Sequence, residues 1–394
     1  MIIWFSLIIP ILVVPLLLFL YPRKVVWWEL VVPITASFLL ITICKYGTEG
    51  VQTQDTEYWG GWVKQGEYYE AWDEEVSCKH EKYRTEYYKD ANGNKQSRKV
   101  FDGYEHSYDV DDHPSEWNVQ DSNNATFSIS KEEFETLAKR FGNRKFVDMH
   151  RDYHLIDGDK YITIWDNSEA RLVPTTTIPT YENKVQASDS VFNFQVVDKK
   201  DVKSFQLFDY PKIQGNYSCP SILGNAGPTH QKAEKEFSLI NAKLGAPKQV
   251  RVWILIFKNQ PIDAGFAQEQ YWKGGNKNEF NIAIGVDGNY QVQWGYIFSW
   301  TEVEELKVKT RMEIVDQQGK VLDLPKLATW LKPQIQTKWK RKQFADFSYL
   351  TINPPGWMVA MTFILTLGLN IGCSAWIIKN EFSEDNKTRM YRRR

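Results

Sequence analysis

Three long apolar runs, one short, nearly unbroken one and a stretch of alternating aromatic and charged positions divide this chain. Met1 to Tyr21 carries one interior polar group, Ser6, and Val25 to Cys44 and Trp357 to Ile378 are comparably apolar. Each is long enough to cross about 30 Å of hydrocarbon as a helix. The first two predict a transmembrane hairpin over residues 1–46, and the third predicts a span over 356–378. Trp27, Trp28 and Glu29 open the second run, where amphipathic rings and one carboxylate stay near the headgroups. The short run, Val250 to Phe257, is β-branched and apolar throughout most of its length, as in a strand covered on both faces. Pro261 then opens a helix-like segment, Asp263 to Trp272, ended by Gly274 and Gly275, and Phe280 to Val286 returns to strand character. Asp287-Gly288-Asn289 turns the chain into an antiparallel strand over Tyr290 to Phe298.

The pattern upstream is different. Val76 to Asp109 alternates aromatics with charges around Asp90-Ala91-Asn92-Gly93-Asn94, which predicts a long β-hairpin. Ser130 to Glu133 is a capping box ahead of a helix with a Phe134, Leu137, Ala138, Phe141 stripe. Gly47 to Asp55 reads as a polar linker, and Arg171 to Asp189 as an extended crossing segment. Ala233 to Leu244 predicts a helix stopped by Gly245, and Leu322 to Lys332 a helix stopped by Pro333. The domain plan is therefore a β-rich subdomain over 58–170, an extended connection over 171–228, an α/β subdomain over 229–350 and a basic tail over 379–394. The fold class is α+β and membrane-anchored: three transmembrane helices, a β-rich hairpin subdomain and an α/β subdomain.

Charge adds an orientation. Arg23 and Lys24 lie in the short hairpin loop, and Arg389 with Arg392 to Arg394 lies in the tail. The positive-inside rule puts both on the cytoplasmic side of an inner or plasma membrane, leaving the main domain extracytoplasmic. The net charge of −1, without a basic run carrying interleaved aromatics, excludes nucleic acid as a partner. The expected partners are the lipid bilayer and either a membrane protein or further copies of this chain. Sixteen Trp and twenty Tyr fit interface belts and sheet cores, with a glycan platform as the alternative.

Candidate chemistry falls in three places. Cys78 and His80 share a strand face, and a hairpin centred near Asn92 sets His80 opposite Glu105 or His106. With His113 these form a Cys78, His80, His106, His113 zinc set, against which stand a solvated polar face and a Cys78 to Cys219 disulfide. His150 and His154, flanked by Asp148 and Asp152, have the i, i+4 spacing of a helical metal or acid–base pair, although no HExxH pattern is present. Lys258, Asn259, Asp263 and Asp287 gather at the carboxyl ends of two parallel strands, where α/β sheets bind ligands. There they offer a setting for a divalent cation, Ca or Mg, with a phosphate or carboxylate. Gly274-Gly275-Asn276-Lys277-Asn278 follows a helix and enters a strand, so it sits at the opposite edge.

Tyr271-Trp272-Lys273-Gly274-Gly275-Asn276-Lys277-Asn278-Glu279-Phe280, with Tyr58-Trp59-Gly60-Gly61 and His113-Pro114-Ser115-Glu116-Trp117, resembles a family of membrane proteins from bacteria and their viruses that has no assigned activity. The helix over 233–244 followed by the β-α-β unit is similar to TPM domains, membrane-tethered α/β modules, some of which are phosphatases binding divalent cations. The sequence thus implies an integral membrane protein with a large extracytoplasmic binding or scaffold domain. The TPM likeness implies the alternative, a metal-dependent phosphohydrolase.

Overall fold

The computed structural model of the 394-residue chain describes residues 2–21, 25, 27–89, 95–141, 145–147, 160–165, 171–188, 194–213 and 217–380. Among the described residues three helical stretches are long and apolar enough to cross a membrane: Ile2–Leu20, Val31–Thr53 and Gly356–Lys379. The first is a 3₁₀ turn followed by helix α1 (Ile8–Leu20), and the second is helix α2 (Val31–Thr53). Residues 47–53, which read as linker, continue α2 in the structure. Thr48 and Thr53 are buried there and hydrogen-bond back to the Cys44 and Glu49 carbonyls, so the last turns are held by side chains as well as by the ladder.

Strand β1 (Gln54–Thr56) leaves α2 directly, and β2 (Trp59–Tyr69) forms the spine of the first subdomain. The predicted hairpin is longer than the alternation showed, β3 (Trp72–Lys89) against β4 (Lys95–His113). Strands β5 (Glu116–Asp121) and β6 (Thr126–Ser128) lead into helix α3 (Lys131–Phe141). The α3 capping box forms as expected, with Ser130 Oγ accepting from Glu133 N at 3.2 Å and Ser130 N donating to the Glu133 carboxylate at 3.1 Å. Strands β7 (Lys145–Val147) and β8 (Lys160–Ile164) complete a sheet in the order β6-β5-β2-β8-β7. Phe134, Leu137 and Phe141 pack from α3 onto Val63, Val119 and Trp165 beneath it.

The segment expected to cross as extended chain instead pairs back. Strand β9 (Pro174–Thr177) joins β2, strand β10 (Thr180–Glu182) joins β1, and a helical turn α4 (Lys184–Ala187) follows, capped by Asn183. Threonine-rich, β-branched sequence prefers the ladder once a partner edge is near. After helix α5 (Lys199–Ser204), strand β11 (Ile222–Leu223) begins the second sheet.

Helix α6 (His230–Lys248) runs past Gly245 and feeds strand β12 (Arg251–Lys258). Helix α7 (Asp263–Tyr271), strand β13 (Glu279–Val286) and strand β14 (Val292–Ser299) follow as the sequence implied. The sheet order is β11-β12-β13-β14, with the first three parallel and β14 antiparallel. Helix α8 (Glu304–Val315), which the pattern had not revealed, packs Leu306 and Ile314 into the same core. Helix α9 (Leu324–Lys338) passes through Pro333, whose ring is exposed, because Leu327, Leu331 and Ile335 on the other face are buried. Burial of that stripe outweighs a helix-interior proline's cost of about 3 kcal/mol. The chain then reaches helix α10 (Gly356–Asn380), where Asn370 donates to Ser37 Oγ of α2 at 2.8 Å.

The two subdomains dock through backbone. A Cβ on Gly60 of β2 would fall 2.1 Å from the Asn241 carbonyl oxygen, and one on Gly245 would fall 2.5 Å from the Gly60 carbonyl oxygen. Gly245 is thus required for contact with β2, not for ending α6. On the next turn Asn241 fixes α6 to the sheet, accepting from Val252 N at 2.7 Å and donating to Val252 O at 3.0 Å.

Candidate functional site

Strands β12 and β13 are parallel, so Lys258, Asn259, Asp263 and Asp287 do share the carboxyl edge. Each is engaged in local structure there. Asp287 Oδ1 accepts from Asn289 N at 2.8 Å and Gln291 N at 2.9 Å, closing its own turn. Lys258 Nζ lies 4.2 Å from the Tyr290 ring centroid, a cation–π contact. Asn259 adopts φ 55° and donates its N–H to Val286 O at 2.7 Å. Asp263 stands in the first turn of α7, where a carboxylate complements the helix dipole. Among the described residues no group of three or more His, Cys, Asp or Glu side chains is placed to hold a metal ion.

For the hairpin set only the backbone register is described. It pairs His80 with Glu105, Cys78 with Ser107, His106 with Lys79 and His113 with Trp72. Directly paired residues share a sheet face, so His106 belongs to the face of Lys79 and is one residue out of step with Cys78 and His80. His113 is seven positions from His106 on the same strand, a rise of about 23 Å, too far for one zinc ion. The side chains of Cys78, His80 and His106 lie outside the described residues, as do His150 and His154 altogether. Cys219 is a buried free thiol, so the Cys78 to Cys219 disulfide is not formed.

The Gly274-Gly275 loop sits at the opposite edge, as its position required, with φ of 84° and 82°. Its neighbours knit the molecule together. Asn276 donates from N and Nδ2 to the buried Glu279 carboxylate, both at 2.8 Å, and Tyr210 and Trp253 donate at 2.9 and 3.1 Å. Burial is the main influence on Glu279 and pushes its pKa up, against the pull of these donors. Asn278 Nδ2 donates to Tyr58 O at 2.8 Å, which joins the Tyr58–Gly61 and Tyr271–Phe280 stretches in space.

The chemistry concentrates elsewhere, in a cleft of about 510 Å³ between β9, the 217–222 segment, the first turns of α6 and the start of β12. That volume lies in the range of small-molecule sites. Its charged wall is Arg251, 1 % exposed. Nη1 donates to Thr176 Oγ1 at 3.2 Å, Nη2 donates to Pro220 O at 2.9 Å, and the guanidinium lies 4.2 Å from the Trp253 ring centroid. Nε is buried without a hydrogen-bond partner, and among the described residues no carboxylate pairs with this cation. Burial, the largest influence, lowers the Arg251 pKa, while Cys219, Glu234, Glu279 and Tyr58 pull it back up. A guanidinium nonetheless stays charged in proteins.

Glu234 faces the same cleft but is already committed. Its carboxylate accepts from Ser221 N at 2.7 Å, Ile222 N at 2.8 Å and Ser238 Oγ at 2.8 Å, holding β11 to α6. His230 Nδ1 accepts from Ala226 N at 3.4 Å. Burial pushes the Cys219 thiol up, with Arg251 opposing, so at neutral pH it is a protonated, unreactive group. Lys235 adds an exposed cation at the rim. A buried cation, a hydroxyl and an exposed lysine thus line one cleft. Arg251 is also the signal available in the sequence, a lone charge inside an apolar strand, VRVWILIF. The other lining residues come from three separate segments and share no motif. Comparison of the chain with family models, with curated proteins and with solved structures gave no match.

Proposed function

We propose that this chain is an integral membrane protein whose large domain, held outside the cytoplasm, binds a small carboxylate or phosphate in the cleft on Arg251. The charges of Arg23, Lys24 and the tail arginines support that sidedness. The observation that carries the binding reading is the unpaired, buried Arg251 guanidinium. Holding a buried cation without an ion pair costs several kcal/mol, and an anion seated against the guanidinium would recover part of it. Binding is favoured over hydrolysis because Asp287, which a TPM-like phosphohydrolase reading needs for a cation, has its Oδ1 already engaged by two backbone N–H groups of its own turn.

The test is thermal unfolding of the detergent-solubilised full chain with inorganic phosphate, citrate and succinate, each against chloride at equal ionic strength. A ligand at a hundredfold over its dissociation constant stabilises by about 2.7 kcal/mol. Arg251→Gln removes this shift and Lys235→Ala weakens it, whereas general salt stabilisation survives both substitutions. A shift that persists in Arg251→Gln, or none with any of these anions, overturns the reading.

A further inference from the structure

A second polar cavity, of about 260 Å³, lies between the β10–α4 turn, Lys277 of the loop before β13, and the 341–348 segment. It is independent of the Arg251 cleft and rests on the three apolar helices being membrane spans. β10 pairs with β1, which continues from α2, and the 341–348 segment is followed shortly by α10. Gln52 of α2 donates to Asn353 O at 3.4 Å, so both helices leave the hydrocarbon through one collar. The apolar run of α2 ends at Cys44. Lys184 on the cavity wall is 3.6 Å from Glu49, five residues further up that helix. Five helical residues rise about 7.5 Å. The headgroup layer is about 5–7.5 Å thick on each side. Around the collar Val51, Tyr349 and Trp357 are exposed at 76, 69 and 65 %, as side chains resting in the interface are. The cavity therefore opens at headgroup depth.

Its walls carry three cations and one carboxylate, Lys184, Lys277, Arg341 and Glu182. None of the cations is tightly paired. Lys277 Nζ and Arg341 Nη1 share the single buried Glu57 carboxylate at 3.5 and 3.8 Å, and Lys184 Nζ stands 3.6 Å from both Glu49 and Glu182. A charge-assisted hydrogen bond would be about 2.7–2.9 Å. Arg341 Nε and Nη1 are buried without hydrogen-bond partners. Burial foremost, with Arg341 adding repulsion against the attraction of Glu57 and Asp55, lowers the Lys277 pKa. An anion between the two would relieve both effects.

We infer that this cavity takes the phosphodiester of a phospholipid headgroup, set on Lys277 and Arg341, with its acyl chains running down the exposed face of α2. Glu182, whose side chain is 63 % exposed, stands at the mouth where a headgroup ammonium can reach it, so phosphatidylethanolamine fits both charges.

Native mass spectrometry of the full chain, released from nanodiscs of phosphatidylethanolamine and phosphatidylglycerol, reads the outcome. One phospholipid per chain should survive delipidation in an uncharged glycoside detergent. Lys184→Ala with Arg341→Gln should lower that occupancy at least tenfold. Ala345→Trp, which fills the cavity from its exposed rim and removes no charge, should do the same in a chain whose unfolding midpoint is unchanged. Retained lipid in both variants, or no lipid in the wild type, overturns the assignment. Competition separates the sources: displacement of the lipid by millimolar inorganic phosphate or glycerol phosphate would make this a free-phosphate site and overturn the lipid.

Discussion

The β11–β14 sheet and the β3–β4 ribbon are both strand pairs in register, yet their surroundings are opposite. All eight residues of β13 and seven of eight in β12 are buried, between α6, α8 and α9 on one face and aromatic side chains on the other. On the ribbon Tyr83, Tyr87, Tyr88 and Phe101 remain about half exposed or more. Its outer part is held by the backbone ladder, a Tyr83–Phe101 edge contact and the Arg84, Glu86, Arg98 ion-pair cluster at 2.9 and 3.0 Å. Cross-strand pairs contribute about 0.2–1 kcal/mol each, and a lone two-stranded ribbon is marginal in water. Stability in this protein therefore resides where apolar area is removed from water.

Core truncation should expose that difference most strongly. Ile254→Ala in β12 should cost about 2–5 kcal/mol, and Tyr87→Ala on the ribbon less than about 0.5 kcal/mol, in denaturant unfolding of the full chain. Equal costs would break the comparison. Next comes overpacking. A Cβ on Gly285 would fall 2.0 Å from Trp294 Nε1, which donates to Gln260 O at 2.8 Å. Gly285→Ala should cost about 1–3 kcal/mol and alter tryptophan fluorescence, and an unchanged spectrum would show that this face yields.

The smallest effect is electrostatic. Burial, the largest single influence, pushes the Glu67 carboxyl up, but hydrogen bonds from Lys160, Gln65 and Tyr69 together outweigh it and hold the carboxyl below 4.5. For Lys160 burial likewise acts first and downward, and bonding to Glu67 and Tyr69 leaves its pKa raised. The pair's contribution is then full at neutral pH. It fades as pH falls below about 4.5 through the depressed Glu67 pKa, and again as pH rises through that of Lys160. Lys160→Met should flatten the acid limb by about 1 kcal/mol. Glu86 on the ribbon is also held low, by Arg98 and then Arg84, but its side chain is 33 % exposed against 11 % for Glu67, so salt should weaken its effect more than that of Glu67.

Features encoded within a dozen residues were readable from the sequence alone. The apolar runs marked the spans because hydrocarbon tolerates nothing else, and Ser130 with Glu133 marked the start of α3 because a cap is made by neighbours. The β12-α7-β13-β14 order followed from period and turn residues, and the hairpin register from the position of its turn. Where distant burial opposed local preference, tertiary structure decided. It carried α9 through Pro333 and α6 past Gly245, and it drew residues 174–182 into two sheets. Arg251 was legible only as an odd charge in an apolar strand. That it faces a cleft with hydroxyl and carbonyl partners but, among the described residues, no carboxylate depends on Thr176, Pro220 and the α6 face arriving from far along the chain. A sequence fixes which groups prefer water and which hydrogen bonds close locally. Which charge is left buried and unpaired is set by packing between segments, and no local pattern records it.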